Sequence, residues 1–173
     1  FGVEYYGAKG AEADAEVILI AYSILKKLGL NVRLNINSIG CAECRKKYNA
    51  ALKEYLRSKT DRLCAVCNDR LERNPLRILD CKEEECKKIC AEAPIITDYL
   101  CDDCRAHFEK LQAYLTAAGL EFAVNPMIVR GLDYYTRTVF EFVTADLGSQ
   151  GTVCGGGRYD ALVEQIGGPK VPC

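Results

Sequence analysis

Tryptophan is absent from this chain of 173 residues, and methionine and histidine occur once each. The lone histidine, His107, sits among charged residues and is expected on the surface, so no catalytic triad or histidine acid-base pair is implied. An excess of charge is also missing. The formal net charge of −1 provides no field that would by itself draw in nucleic acid, because nonspecific binding needs a basic face. No apolar stretch reaches the ~20 residues that cross a bilayer. The first residues lack the charged, apolar and small-residue order of a signal peptide, so a cytoplasmic protein with no membrane partner is expected. Neither an internal repeat nor a low-complexity stretch interrupts the chain. With 49% of its residues apolar, it is long enough for one core, or for a core and a small appended module.

Cysteine, by contrast, is abundant, with eleven residues. Their odd number, the missing signal and their grouping into close pairs argue against a secreted disulfide framework and for reduced thiolates on a metal. Cys41 and Cys44, Cys64 and Cys67, and Cys101 and Cys104 form three Cys-x-x-Cys pairs, and Cys81 with Cys86 makes a looser fourth. Eight thiolates furnish two tetrahedral zinc sites. Iron-sulfur binding, plain buried thiols and a redox role are the alternatives. A helix from about Cys44 to Arg57 places Cys64 at its far end, roughly 20 Å from Cys44 at ~1.5 Å per residue. The expected sets are therefore Cys64, Cys67, Cys101 and Cys104 in one site and Cys41, Cys44, Cys81 and Cys86 in the other. Each would be closed and structural, replacing the core that so charged a stretch cannot build. Cys90, Cys154 and Cys173 stay unassigned.

Hydrophobic spacing divides the chain into three parts: residues 1–40 and 119–173 as halves of one core, and 41–118 as an inserted helical module. Residues 1–7 alternate like a strand that begins in mid-domain. Residues 11–28 carry a helical apolar face stopped by Gly29, and Val32 to Asn37 reads as a half-buried strand. Within the insert, helices are expected from about Asp61 to Arg73, ending before Pro75, and from about Cys101 to Ala118. Leu76 to Asp80 reads as extended. Glu121 to Asn125 and Thr138 to Thr144 read as strands, and a helix starts near Ala161.

Two motifs carry chemistry. Val129 to Phe142 places Arg130, Gly131 and the tyrosines Tyr134 and Tyr135 at the mouth of a strand. An arginine before a glycine can reach a phosphate bidentately, because glycine lets the backbone come close. If the strand continues through them, the two tyrosines point to opposite faces and only one lines a pocket. The second motif, Gly151 to Asp160, contains Gly155-Gly156-Gly157, a run that suggests close approach by a ligand or another backbone. It is not the dinucleotide fingerprint, since no Gly-x-Gly-x-x-Gly follows a strand and opens a helix. Arg158 and Asp160 are as suited to pairing with one another as to contacting a ligand.

Together these motifs resemble the two histidine-recognition motifs of the histidyl-tRNA synthetase family, and Asn37-Ser38-Ile39-Gly40 and Asn74 to Asp80 also look like family segments. The resemblance implies an α+β fold, an antiparallel sheet flanked by helices of the class II synthetase type, here with an inserted cysteine-rich module. It implies ATP-dependent activation of histidine to the adenylate, with Mg2+, and transfer to tRNA(His) by a homodimeric enzyme. It casts Arg130 as the group that contacts the α-phosphate and carboxylate, Tyr135 and Tyr159 as readers of the imidazole, and Glu4 as the carboxylate facing the ammonium. Tyr134 and Gly155, Gly156 and Gly157 complete the expected substrate-binding set, and Asp133 is expected to fix local geometry or to bind. The ATP-binding arginine motifs, the dimer-forming motif and the anticodon domain of that family are not found in these residues. A piece of a catalytic domain, inactive alone, is therefore expected. The alternatives are a histidine-sensing relative that regulates ATP phosphoribosyltransferase, and a zinc-built module that contacts tRNA or protein.

Overall fold

The computed structural model describes residues 2–130, 134–146 and 151–173. Apolar spacing of three and four residues folds Ala11–Lys27 into α1, with Glu12 and Asp14 in its first turn and Lys26 and Lys27 in its last, the order that the helix dipole favours. Gly29, at φ 77°, turns the chain into β1 (Arg33–Ser38). A helical stretch follows, with α2 (Ala42–Arg57), α3 (Ala65–Arg73), α4 (Glu84–Ala91) and α5 (Asp102–Ala117). The strands β2 (Phe122–Val124), β3 (Thr136–Val143) and β4 (Thr152–Arg158) and the short helix α6 (Leu162–Gln165) complete the chain.

The four strands are ordered β2-β1-β3-β4. β1 with β3 and β3 with β4 are antiparallel, whereas β2 joins β1 in parallel, as the long helical crossover between them permits. Alternation along β3 feeds two cores. Phe140 and Phe142 pack with Leu34, Ile36, α1 and α5 on one face. Val139 packs with Ile39 and the helices α2 to α4 on the other.

The stretch 41–118 consequently divides. Leu52, Leu56, Leu71, Ile78, Ile89 and Ile96 share the second core, but Phe108, Leu111 and Leu115 of α5 pack beside Ile18 and Leu25 of α1. Two expectations change. Residues 2–6 form no strand. The stretch expected to be extended from Leu76 is a 3-10 turn, Pro75–Ile78, because proline suits the first turn of a helix whose N–H groups are unpaired anyway. A second such turn, Ile96–Tyr99, lies along α2, with Tyr99 and Tyr48 ring centroids 5.5 Å apart.

Candidate functional site

A cavity of about 470 Å³ opens between one side of α1, from Ala13 to Leu25, residues 2–5 and the strands β3 and β4. Its wall on the β4 side is backbone. A Cβ on Gly156 would meet the Phe140 ring at 2.9 Å, and one on Gly157 would lie 2.5 Å from the Thr138 carbonyl. The glycine run is therefore a strand rather than a turn, kept free of side chains by close packing against β3. Tyr135, Tyr159 and Glu4 line the same space. The ring centroids of Tyr135 and Tyr159 stand 6.3 Å apart, edge to face.

Tyr134 and Tyr135 do not point to opposite faces. β3 begins only at Thr136, so the alternation does not extend back to them, and their rings lie against each other, tilted by 32°, with centroids 4.8 Å apart. Tyr135 faces the cavity, whereas Tyr134 packs behind it and against Tyr159. Gly131 and Asp133 lie outside the described residues. Arg130 is held by Glu141 Oε1 at 3.0 Å and lies over the Tyr135 ring, 5.5 Å from its centroid. It also sits where a Gly155 side chain would be, its Nη1 only 2.8 Å from that Cβ position. Its buried Nε has no hydrogen-bond partner among the described residues.

Beneath the cavity lies a polar network that sequence reasoning missed. Asp14, only 7% exposed in its side chain, accepts from Arg158 Nε and Nη2 at 3.1 and 2.7 Å, from Thr138 at 2.6 Å, and pairs with His107 Nε2 at 2.7 Å. Arg137 Nη1 donates to His107 Nδ1 at 3.3 Å, which leaves the ring proton on Nε2, facing Asp14. Burial pushes the Asp14 carboxyl up, but the hydrogen bonds from His107, Arg158 and Thr138 and the Arg158 charge outweigh it and hold the group below the ordinary carboxylate range. Arg158 also bonds Asp160 at 2.8 Å, as a scaffold pair. His107 is thus buried, contrary to the expected surface position. The signal was present in the sequence: His107 shares a helical stripe with Phe108, Leu111 and Leu115, as Asp14 does with Ala11, Ala15 and Ile18.

The eight cysteines form two groups of four, but with exchanged partners. Cys41 and Cys44 meet Cys101 and Cys104, while Cys64 and Cys67 meet Cys81 and Cys86. The expected sets are corrected because the turn Ile96–Tyr99 carries the chain back along α2, so α5 starts beside the first residues of α2 rather than at its far end. Within each group the sulfurs lie within 4.8 Å of one another, with Cys41 to Cys44 at 3.5 Å and Cys64 to Cys81 at 3.9 Å. A tetrahedral ion with bonds of ~2.3 Å sets sulfurs about 3.8 Å apart, so both groups fit one. All eleven cysteines are free thiols. Backbone N–H groups of Cys101 and Cys64 donate to Cys44 and Cys86 sulfurs at 3.2 and 3.3 Å, which favours thiolates. Burial pushes Cys41 up, but the Cys44 and Glu43 backbone and the Cys44 thiol bring it down to about 7. Burial and the neighbouring thiols push Cys67 and Cys104 up, a direction that a bound cation would reverse.

Comparison with known proteins decides the family. A family model described as histidyl-tRNA synthetase matches residues 1–173. This chain belongs to the histidyl-tRNA synthetase family. A histidine-tRNA ligase of Caldanaerobacter subterraneus subsp. tengcongensis is 62% identical over 173 residues, covering 99% of this chain and 42% of that protein. A ligase of Clostridium botulinum strain Loch Maree is 57% identical, with 99% and 41% covered. The apo structure of the S. aureus histidyl-tRNA synthetase superposes with a TM-score of 0.72 at 36% identity, over 96% of this chain and 41% of that one. The chain therefore spans about two fifths of the length of these relatives.

Proposed function

We propose that this chain carries the histidine half of the active site of a histidine-tRNA ligase. The observation that carries the reading is the cavity itself: a side-chain-free wall of Gly155 to Gly157, two tyrosines that can exchange hydrogen bonds with an imidazole, a carboxylate at Glu4 for a cationic group, and Arg130 at its rim. Relatives at 57–62% identity bear the ligase name, which supports this reading over a regulatory relative. The whole protein, a class II enzyme of the cytoplasm, would bind histidine, ATP with Mg2+ and tRNA(His), and act as a homodimer. In the reaction, the histidine carboxylate attacks the α-phosphate of ATP, the bond from that phosphorus to the bridging oxygen breaks, and pyrophosphate leaves histidyl-adenylate behind. Arg130 meets the negative charge that builds there, and Glu141 fixes the guanidinium before substrate arrives, so little reorganisation accompanies the chemistry.

The two cysteine groups are proposed to hold structural zinc, which would tie α2, α3, α4 and the start of α5 together without taking part in chemistry. Part of the surface charge of this stretch is paired, which leaves less basic surface for the alternative of a module built to contact tRNA. Lys53 and Arg57 both bond Glu72, at 3.1 and 2.9 Å, and Arg62 bonds Glu85.

Histidine-dependent exchange of pyrophosphate into ATP, measured in the longer ligase, tests the assignment. Arg130→Met is expected to lower kcat by about 10² to 10³, with a smaller change in histidine KM. An unchanged kcat would remove Arg130 from the reaction. The chain of 173 residues alone is expected to show no useful exchange.

A further inference from the structure

The two cysteine groups are chemically alike but differently placed. Gly40, with φ 65°, abuts the group of Cys41, Cys44, Cys101 and Cys104 so tightly that a Cβ there would lie 2.4 Å from Cys44 Cβ. Its carbonyl accepts the Arg137 N–H at 2.9 Å, and the Ile39 N–H donates to the Arg137 carbonyl at 2.7 Å. Arg137 is the only non-glycine residue with positive φ among the described residues, at 52°, and such a conformation persists only where its surroundings fix it. Arg45, the residue after Cys44, donates to the Tyr135 carbonyl. Of the two neighbours of Thr136 at the mouth of β3, Tyr135 is therefore held from the first turn of α2 and Arg137 from Ile39 and Gly40, the two residues before the cap of that helix. The group of Cys64, Cys67, Cys81 and Cys86 lies beyond the other end of that helix, whose 16 residues span about 24 Å at ~1.5 Å each.

We propose that the group of Cys41, Cys44, Cys101 and Cys104, holding a zinc-like divalent cation and acting with Arg45, sets the position of Tyr135 in the cavity, whereas the other group holds only its own helices. The inference rests on the reading of the cavity as a histidine site and adds a positioning role for a metal group outside it. The cation closes the four sulfurs around the start of α2. That start presents the Gly40 carbonyl to Arg137 and the Arg45 guanidinium to Tyr135. A loosened group frees both contacts, and the tyrosine ring loses its fixed place against the glycine wall.

The experiment compares Cys104→Ser with Cys67→Ser in the 173-residue chain, reading metal per chain, amide hydrogen exchange at Ile39 and Arg137, and histidine affinity. Each variant is expected to lose one metal ion. Cys104→Ser is expected to speed exchange at both amides and to weaken histidine binding, each by about tenfold or more, while Cys67→Ser leaves both amides protected. Equal effects of the two variants on these amides, or no effect of either, would overturn the proposal. Should Cys104→Ser fail to fold, Arg45→Ala serves instead, since its side chain bonds the Tyr135 carbonyl and not a thiol. It is expected to weaken histidine binding about tenfold, with Arg45→Lys recovering much of it, and an unchanged affinity would count against the link. A chain that binds no histidine but shows the amide pattern would remove the histidine reading and keep the link. Histidine binding with indifferent amides would do the reverse.

Discussion

Asp14 shows how a single buried carboxylate organises the site. It joins α1 to β3 through Thr138, to β4 through Arg158 and to α5 through His107, so four elements converge on two oxygens. With side chains of Asp14 and Arg158 only 7% and 2% exposed, removing one charge leaves the other without its nearest partner. Asp14→Asn is expected to cost about 3–5 kcal/mol of stability, eased by the second bond from Arg158 to Asp160, and a shift of the urea midpoint would show it. The pH dependence follows from the lowered folded value. The stabilisation is complete above the unfolded carboxyl value of about 3.9 and disappears as pH falls through the still lower folded value. Acid titration of unfolding should therefore show a proton uptake below pH ~4 that Asp14→Asn lacks. An identical acid limb in both proteins would mean that the carboxylate carries no such load.

Elements whose pattern is local were legible in the sequence. α1 and α2 follow from apolar residues three and four apart, and β1 from the alternation Leu34 and Ile36 against Arg33 and Asn35. What escaped depends on long-range return of the chain. α4 went unseen because Glu83, Glu84 and Glu85 hide a short stripe of Cys86, Ile89 and Cys90 that only acquires a meaning when α2 packs on it. The cysteine pairing was misjudged for a related reason. The separation of Cys41 from Cys64 along α2 was sound, but nothing local to Ile96–Tyr99 says that this turn brings Leu100 and Cys101 back to Gly40. At this scale the two sulfur groups are the staples of a highly charged helical stretch. The chain purified under reducing conditions is expected to contain two zinc ions, one for each group of four. A strong chelator should remove them, expose the eight thiols to a thiol reagent and lower the helical circular dichroism. Absence of metal and unchanged helicity with chelator would make these residues ordinary core thiols.

Taken as a whole, the molecule is a sheet with two occupied faces, and the cavity sits at the edge where the α1 side meets β4. The pocket residues were named from motifs because backbone-lined walls leave a mark in sequence: only glycine tolerates the Thr138 carbonyl and the Phe140 ring at the distances found here. The network under the pocket left a weaker mark, since a carboxylate or imidazole within an apolar stripe is recognised as buried only once its partners on other elements are known. Arg130 and Glu141 belong together for the same reason, joined across β3 rather than along the chain. Calorimetric titration of the 173-residue chain with histidine tests the central reading most directly. One histidine is expected to bind per chain, with affinity weakened at least about tenfold by Tyr135→Phe, which removes the hydroxyl offered to the imidazole. Saturable binding that is indifferent to Tyr135→Phe, or no binding by a folded chain, would contradict a histidine pocket at this place.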